Sequence, residues 1–216
     1  MDSKENMIKV PFFKKTIKKL FDIVFSFSVL VFGLPIFLGI AIAIYFSSPG
    51  PIFYRHKRIG KNGSEIFLWK FRTMHIGADK ILEDLLKVNP LLRQEWKKYF
   101  KLKNDPRITN IGQFLRKTSL DELPQFLNVL TGELSVVGPR PCVKEEIVKY
   151  YKDKADTILS IKPGITGIWQ TSGRSHIGWD LRAQMDENYV TSFGFFKDLK
   201  LVFKTILIMF SSRGAC

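Results

Sequence analysis

Asp121 and Glu122 stand side by side in Thr118-Ser119-Leu120-Asp121-Glu122-Leu123-Pro124-Gln125, directly ahead of an apolar segment from Phe126 to Leu130. An ionised carboxylate can attack a phosphoryl group and hold it as an acyl phosphate. The attacking oxygen and the phosphate are both negative, so cations must lie close by. Adjacent residues at a helix start point in different directions, so one carboxylate can attack while its neighbour holds a metal. Magnesium suits that arrangement, because it needs only one or two protein carboxylates and completes its shell with water and phosphate oxygens. The same residues also admit a purely structural reading. Ser119 followed three residues later by Glu122 is a capping-box pattern. Pro124 is natural at a first helical position, which puts the dyad at or just before a helix start.

The candidate cations sit beside prolines, glycines and turns. Arg107 follows Asp105-Pro106, Arg116 precedes the dyad, Arg140 lies between Pro139 and Pro141, and Arg174 follows Gly173. Lys70 and Arg72 come from Lys70-Phe71-Arg72-Thr73-Met74. A guanidinium grips a phosphate through two parallel hydrogen bonds, best from a rigid backbone. One such arginine is ordinary surface; Lys70, Arg72, Arg107, Arg116, Arg140 and Arg174 together predict a diphosphate substrate. Asp105 and Asp186 are secondary acidic candidates. Neither a phosphate-binding glycine loop nor a dinucleotide fingerprint accompanies them. His56, His75 and His176 lack zinc-ligand spacing and are expected to be structural or solvent-facing. Cys142 reads as a small buried residue, and Cys216 as a free thiol or an acylation site.

A chain of 216 residues fits one domain, and its net charge of +14 points to polyanionic partners. Residues 1–13 read as a disordered tail. Lys14, Lys15, Lys18 and Lys19 then precede an apolar run from Leu20 to Phe46, long enough as a helix to reach about 40 Å. Gly33 and Pro35 interrupt it, and basic residues follow it from Arg55 to Lys61. The positive-inside rule draws both flanks to the cytoplasmic side. A re-entrant helix over 14–48, bent at Pro35, satisfies both flanks. A straight span and a buried soluble helix are the competing readings. Asp22 falls at helical spacing from Lys18 and could pair with it.

Residues 49–192 form the expected catalytic region. Strands are predicted over Ile52–Ile59 and Glu65–Phe71, turning at Asn62-Gly63. An amphipathic stretch from Gly77 to Leu102 is split by Pro90, and a short helix covers Ile111–Lys117. The apolar helix after the dyad stops at Gly132. Val136 to Pro141 is a stiff extended turn, and helices follow over Val143–Asp156 and 180–192. Residues 193–216 hold an amphipathic surface helix, with Lys197, Lys200 and Lys204 on one stripe and Phe196, Leu199, Phe203, Ile206 and Phe210 on another. The fold class is therefore α+β and mainly helical, with one small β-hairpin.

Taken together, these segments resemble the bacterial sugar transferases, the monotopic polyprenyl-phosphate phosphoglycosyl transferases. The resemblance runs from Lys19-Leu20-Phe21-Asp22 through Ser48-Pro49-Gly50-Pro51-Ile52-Phe53, Lys70 to Met74, Asp105 to Thr109, Thr118 to Gln125, Val137 to Pro141 and Pro163 to Arg174, ending near Tyr189. It implies a minimal catalytic form on the cytoplasmic face of a bacterial inner membrane, entered by a re-entrant helix. It further implies transfer of sugar-1-phosphate from a UDP-sugar to undecaprenyl-type phosphate, with release of UMP. Asp121 would be the nucleophile, Glu122 the Mg2+ ligand and Arg140 a nucleotide or phosphate contact. Departures are mild: Lys117 where a second arginine is frequent, Lys18 before Lys19 where Lys-Arg is common, and Gly132-Glu133-Leu134-Ser135 where Gly-Asp-Met-Ser is usual. A homodimer is compatible, and nucleic acid is not an expected partner. Two other readings stay open: one-step displacement with Asp121 as general base, and a non-enzymatic basic membrane-binding protein. The sugar itself is not legible.

Overall fold

The computed structural model describes residues 11–99, 102–173 and 177–211. Two helices open it, α1 (Phe12–Phe32) and α2 (Leu34–Ser47), with 59° between their axes. The break falls at Gly33, two residues before the expected Pro35. A Cβ on Gly33 would sit 2.4 Å from the Val29 carbonyl oxygen, so the tight passage requires glycine. Pro35 is the second residue of α2, where its missing N–H leaves no bond unmade. One side of both arms packs on the rest of the chain, through Asp22, Ser26, Ile40 and Ile44. Phe25 meets Phe126, and Phe37 meets Phe71. The other side exposes Phe27, Val31, Phe32, Leu34, Ile36, Leu38 and Ile42.

Strands β1 (Phe53–Ile59) and β2 (Glu65–Phe71) pair antiparallel around the Asn62-Gly63 turn, as the sequence predicts. Period-two alternation puts Ile66, Leu68 and Lys70 of β2 on the same face as Tyr54, His56 and Arg58 of β1. Asn128 holds the outer edge of β2: its Oδ1 accepts from the Trp69 amide and its Nδ2 donates to the Phe67 carbonyl, both at 2.9 Å. Pro90 does split the next segment, into α3 (Ala78–Val88) and α4 (Pro90–Tyr99), with Asn89 Oδ1 accepting from the Leu91 and Leu92 amides. Helices α5 (Asn110–Thr118) and α6 (Gln125–Leu130) flank the dyad.

Beyond α6 the structure departs from expectation twice. Val136 to Pro141 begins as a strand, β3 (Ser135–Val137), paired in parallel with β4 (Gly164–Thr166). The pairing depends on two glycines: a Cβ on Gly164 would lie 2.0 Å from the Gly138 nitrogen. Between these strands, the helix expected over Val143–Asp156 is broken into α7 (Lys144–Glu146), a π turn at Ile147–Tyr151, a 3-10 turn and α8 (Ala155–Leu159). Lys152, at φ 48, interrupts the helical path. Two long helices close the fold, α9 (Trp179–Ser192) and α10 (Phe195–Ser211). α10 combines the two roles open to it. Asp198, Leu201 and Val202 are buried, whereas Phe196, Leu199, Phe203, Ile206 and Leu207 face outward.

First and last helices meet at a buried ion pair. Lys18 Nζ donates to Asp198 Oδ2 at 2.6 Å and to the Val137 carbonyl at 2.9 Å. The Tyr189 hydroxyl lies 2.7 Å from Asp198 and 3.0 Å from the same carbonyl. Lys18 thus pairs with Asp198, and Asp22 instead accepts the Val136 amide at 3.0 Å. Deleting one member of such a pair strands the other charge in the interior. Asp198→Ala is expected to lower the unfolding free energy by about 3–5 kcal/mol in detergent-based urea denaturation. A loss below about 1 kcal/mol would mean that the pair is solvated.

Candidate active site

The dyad owes its position to an abrupt turn. Thr109 caps α5, its Oγ1 accepting from the Gly112 amide at 3.0 Å. At the other end Ser119 adopts a left-handed conformation (φ 60, ψ 18), and Leu120–Glu122 follows as a 3-10 turn. Leu120 and Leu123 pack towards Ile40, Ile44, Phe71 and Leu115. Asp121 and Glu122, between them, meet Lys70 on β2. The capping box is not formed: Ser119 accepts no capping bond, and Pro124 leads into α6 without one. Glu122 Oε1 instead accepts from Lys70 Nζ at 2.6 Å.

The two carboxyls are driven apart electrostatically. Burial alone would raise Glu122, but Lys70, Arg140 and Arg58 outweigh it and hold the group at about 2. Asp121 is buried, and that burial, reinforced by the charge of Glu122, raises its carboxyl against the opposing pull of Lys70 and Arg116. Lys70 Nζ is 3.7 Å from Asp121 Oδ2. Glu122 is therefore a fixed anion. Asp121 is the more basic oxygen and hence the better nucleophile.

Of the predicted phosphate contacts, Lys70, Arg116 and Arg140 gather here. Arg116 Nε donates to Thr73 Oγ1 at 2.9 Å, and its charge reaches Asp121. Arg140 leaves β3 through Gly138-Pro139 and lies over the Trp169 ring, 5.7 Å from its centroid. A cleft lined by Arg58, Lys70, Glu122, Gln125, Arg140 and Pro141 lies between them. Two predicted contacts are engaged elsewhere. Buried Arg72 donates to the Pro49 and Ser48 carbonyls at 2.7 and 2.6 Å, fixing the exit of α2. Arg107 forms a two-pronged pair with Asp105 at 2.8 and 2.6 Å and rests on Trp96. Both guanidinium groups, and Asp105 with them, are structural here. Arg174, His176 and Cys216 fall outside the described residues.

Two site residues escaped the sequence reading. Arg58 and His56 share the inward face of β1, and Arg58 Nη1 donates to His56 Nε2. Burial, then Arg58, Lys70 and Arg140, hold His56 down at about 4, so it is neutral at pH 7 with its proton on Nδ1. Strand alternation from Lys70 across the hairpin was the signal that could have found them. Behind Arg140, Asp186 is buried, accepting from the Tyr151 hydroxyl at 3.0 Å and Trp169 Nε1 at 3.2 Å. Burial raises its carboxyl to about 7, only partly offset by these donors and by Arg140. Burial likewise pushes the Cys142 thiol up to about 12, so this cysteine is inert.

Among the described residues no group of three or more His, Cys, Asp or Glu side chains is placed to hold a metal. Asp121 and Glu122 remain, and that pair matches the sparse protein contribution that Mg2+ accepts.

A profile for the bacterial sugar transferases matches residues 13–212, and the chain belongs to this family. The exopolysaccharide production protein ExoY of Rhizobium meliloti is 45% identical over 92% of this chain and 87% of its own length. The undecaprenyl-phosphate galactose phosphotransferase of Salmonella typhimurium is 43% identical over 92% of this chain and 41% of its own. The UDP-glucose:undecaprenyl-phosphate glucose-1-phosphate transferase of Escherichia coli is 37% identical, over 93% of this chain and 42% of its own. The chain spans less than half the length of these last two.

Asp186 gives this site a measurable pH signature. From about pH 4 to about pH 7 the native state holds its proton while the unfolded chain has lost it, so stability falls as pH rises through that window. Asp186→Asn keeps an acceptor and removes the titration. Its urea midpoint, relative to the parent, is expected to climb between about pH 4 and pH 7 and to level off above that. A difference that stays constant would mean an ordinary, ionised Asp186.

Proposed function

We propose that the chain transfers sugar-1-phosphate from a UDP-sugar to a polyprenyl phosphate of the undecaprenyl type, releasing UMP and beginning the assembly of a bacterial polysaccharide. The observation that carries this reading is Asp121: a buried, raised carboxylate flanked by Lys70 and Arg116 in the segment that matches the family's dyad. The substrates printed in the names of the Salmonella and Escherichia relatives support the donor and acceptor.

In the first half-reaction an Asp121 oxygen attacks the sugar-bearing phosphorus. The bond to the UMP oxygen breaks, and its electron pair leaves with UMP. Burial makes Asp121 a stronger nucleophile than a surface aspartate, while Lys70 and Arg116 pull against that rise and favour the carboxylate. In the second half-reaction an oxygen of the lipid phosphate attacks the same phosphorus and frees the carboxylate. Glu122, anionic throughout, would hold Mg2+, which when bound neutralises diphosphate charge.

We place α1 and α2 in the cytoplasmic leaflet of the inner membrane as a re-entrant pair. Among the described residues no single helix is long and apolar enough to cross, whereas the bent pair qualifies jointly. At 1.5 Å per residue the arms are about 31 and 21 Å long. With both outer ends at the surface, the 59° bend lifts Gly33 only about 12 Å, less than half of a hydrocarbon core of about 30 Å. Basic flanks at both ends and the outward apolar side of α10 favour the same orientation.

The test is UMP release across a panel of UDP-sugars, which should require both lipid phosphate and Mg2+. Asp121→Asn should cut it by about a thousandfold or more and abolish a sugar-phosphate adduct visible by intact mass. An adduct persisting in that variant would move the nucleophile elsewhere. For the membrane arrangement, single cysteines replacing Lys14 and Lys57 should both resist an impermeant thiol reagent added outside intact cells. Labelling of either one would mean a spanning helix.

A further inference from the structure

Two guanidinium groups reach the cleft with most of their donors open. The Arg140 guanidinium lies against the Trp169 ring, and no hydrogen bond engages its N–H groups among the described residues. Arg58 uses Nη1 alone, donating to His56 Nε2 and to the Lys57 carbonyl, which leaves Nε and Nη2 open. The two cations repel each other: after burial, Arg140 is the largest influence depressing Arg58. Among the described residues Glu122 is the one carboxylate lining the cleft, and Lys70 already pairs with it. Half-buried like charges with free donors are a binding site for an anion.

We infer that Arg58 adds a second guanidinium to the phosphate contact that the family resemblance assigns to Arg140, that the two close on the nucleotide-side phosphate of the diphosphate substrate, and that His56 is the positioning residue that aims Arg58. This rests on the transferase reading above and gives the substrate a direction. Lys70 and Arg116 flank Asp121, whereas Lys70, Arg140 and Arg58 surround Glu122. The sugar-bearing phosphorus therefore sits over Asp121 and the bridging oxygen beside Lys70. The UMP phosphate lies between Arg58 and Arg140. When the phosphorus–oxygen bond breaks, the electron pair stays on that phosphate, and the two guanidinium groups take up the new charge. His56 contributes by accepting from Nη1, which holds the Arg58 fork in the cleft rather than in solvent.

UMP and uridine are the probes, titrated into the full chain in lipid nanodiscs with Mg2+ present. Arg58→Ala should weaken UMP binding by about 10- to 100-fold, as expected for the loss of a charge-assisted contact, and uridine binding by less than about twofold. It should also slow adduct formation at least about tenfold more than discharge of the preformed adduct to lipid phosphate. Should Arg58→Ala fail to fold, Arg58→Lys carries the test, since it keeps the charge and loses the fork. His56→Ala should weaken UMP binding several-fold, and His56→Gln, whose amide oxygen can accept from Nη1, should restore it.

UMP affinity within about twofold of the parent in the folded Arg58 variant would overturn the seat, as would a parent protein that binds UMP no better than uridine. Equal behaviour of His56→Ala and His56→Gln would remove the positioning role. These failures are separable from failure of the transferase reading. In that case the unmodified protein would release no UMP and form no adduct with any UDP-sugar.

Discussion

The buried contact between Lys18 and Asp198 sets the geometry on which the rest of the molecule depends. It joins the first helix to the last, and the same ammonium grips the Val137 carbonyl. Three residues beyond that carbonyl is Arg140. α1 also packs along α6, the helix that follows the dyad, through Phe25 and Phe126. One helix thus references both walls of the cleft. The third wall is fixed by α2, whose exit is tied by Arg72 to the strand that carries Lys70. Arg72, which reads as a substrate contact in the sequence, instead helps to hold the strand of Lys70 in place.

Charge is distributed over the site with equal economy. Lys70 lies between two carboxyls and treats them unequally, closing on Glu122 and standing off from Asp121. The first is silenced as a base and the second is kept basic. Behind the cleft, Asp186, Tyr151, Cys142 and Trp169 form a dry polar cluster whose indole supports Arg140. Burial raises the Asp186 carboxyl there to about 7, which weakens its hold on a full negative charge beneath the arginine.

What the sequence disclosed was local. The hairpin, the split at Pro90 and the dyad each depend on neighbours in the chain, and each was legible. The β3–β4 pair was not, because three-residue strands have no periodicity and their register is set by Gly138 meeting Gly164 across a long excursion. Nor was the breakup of Val143–Asp156, where the tertiary bond from Tyr151 to Asp186 and the strained Lys152 override helical composition. Pro106 beside Arg107 announced rigid backbone, and Lys70-Phe71-Arg72 a basic strand end, but neither showed what its guanidinium group would touch. His56 and Arg58 were missed because a predicted hairpin does not by itself say which of its two faces meets the dyad, and Lys70 shares that face with them.

Seated as proposed, a pair of helices bent at Gly33 would enter a membrane from one side. In the orientation proposed above, none of the lysines or arginines of the two described flanks would have to be carried through the bilayer, because both flanks would remain where the ribosome delivers them. Insertion is then a one-sided partitioning step, driven by the apolar side of the bent pair. The wedge takes area from one leaflet only, so packing stress in that leaflet becomes a physical variable that can set how much of the protein is seated.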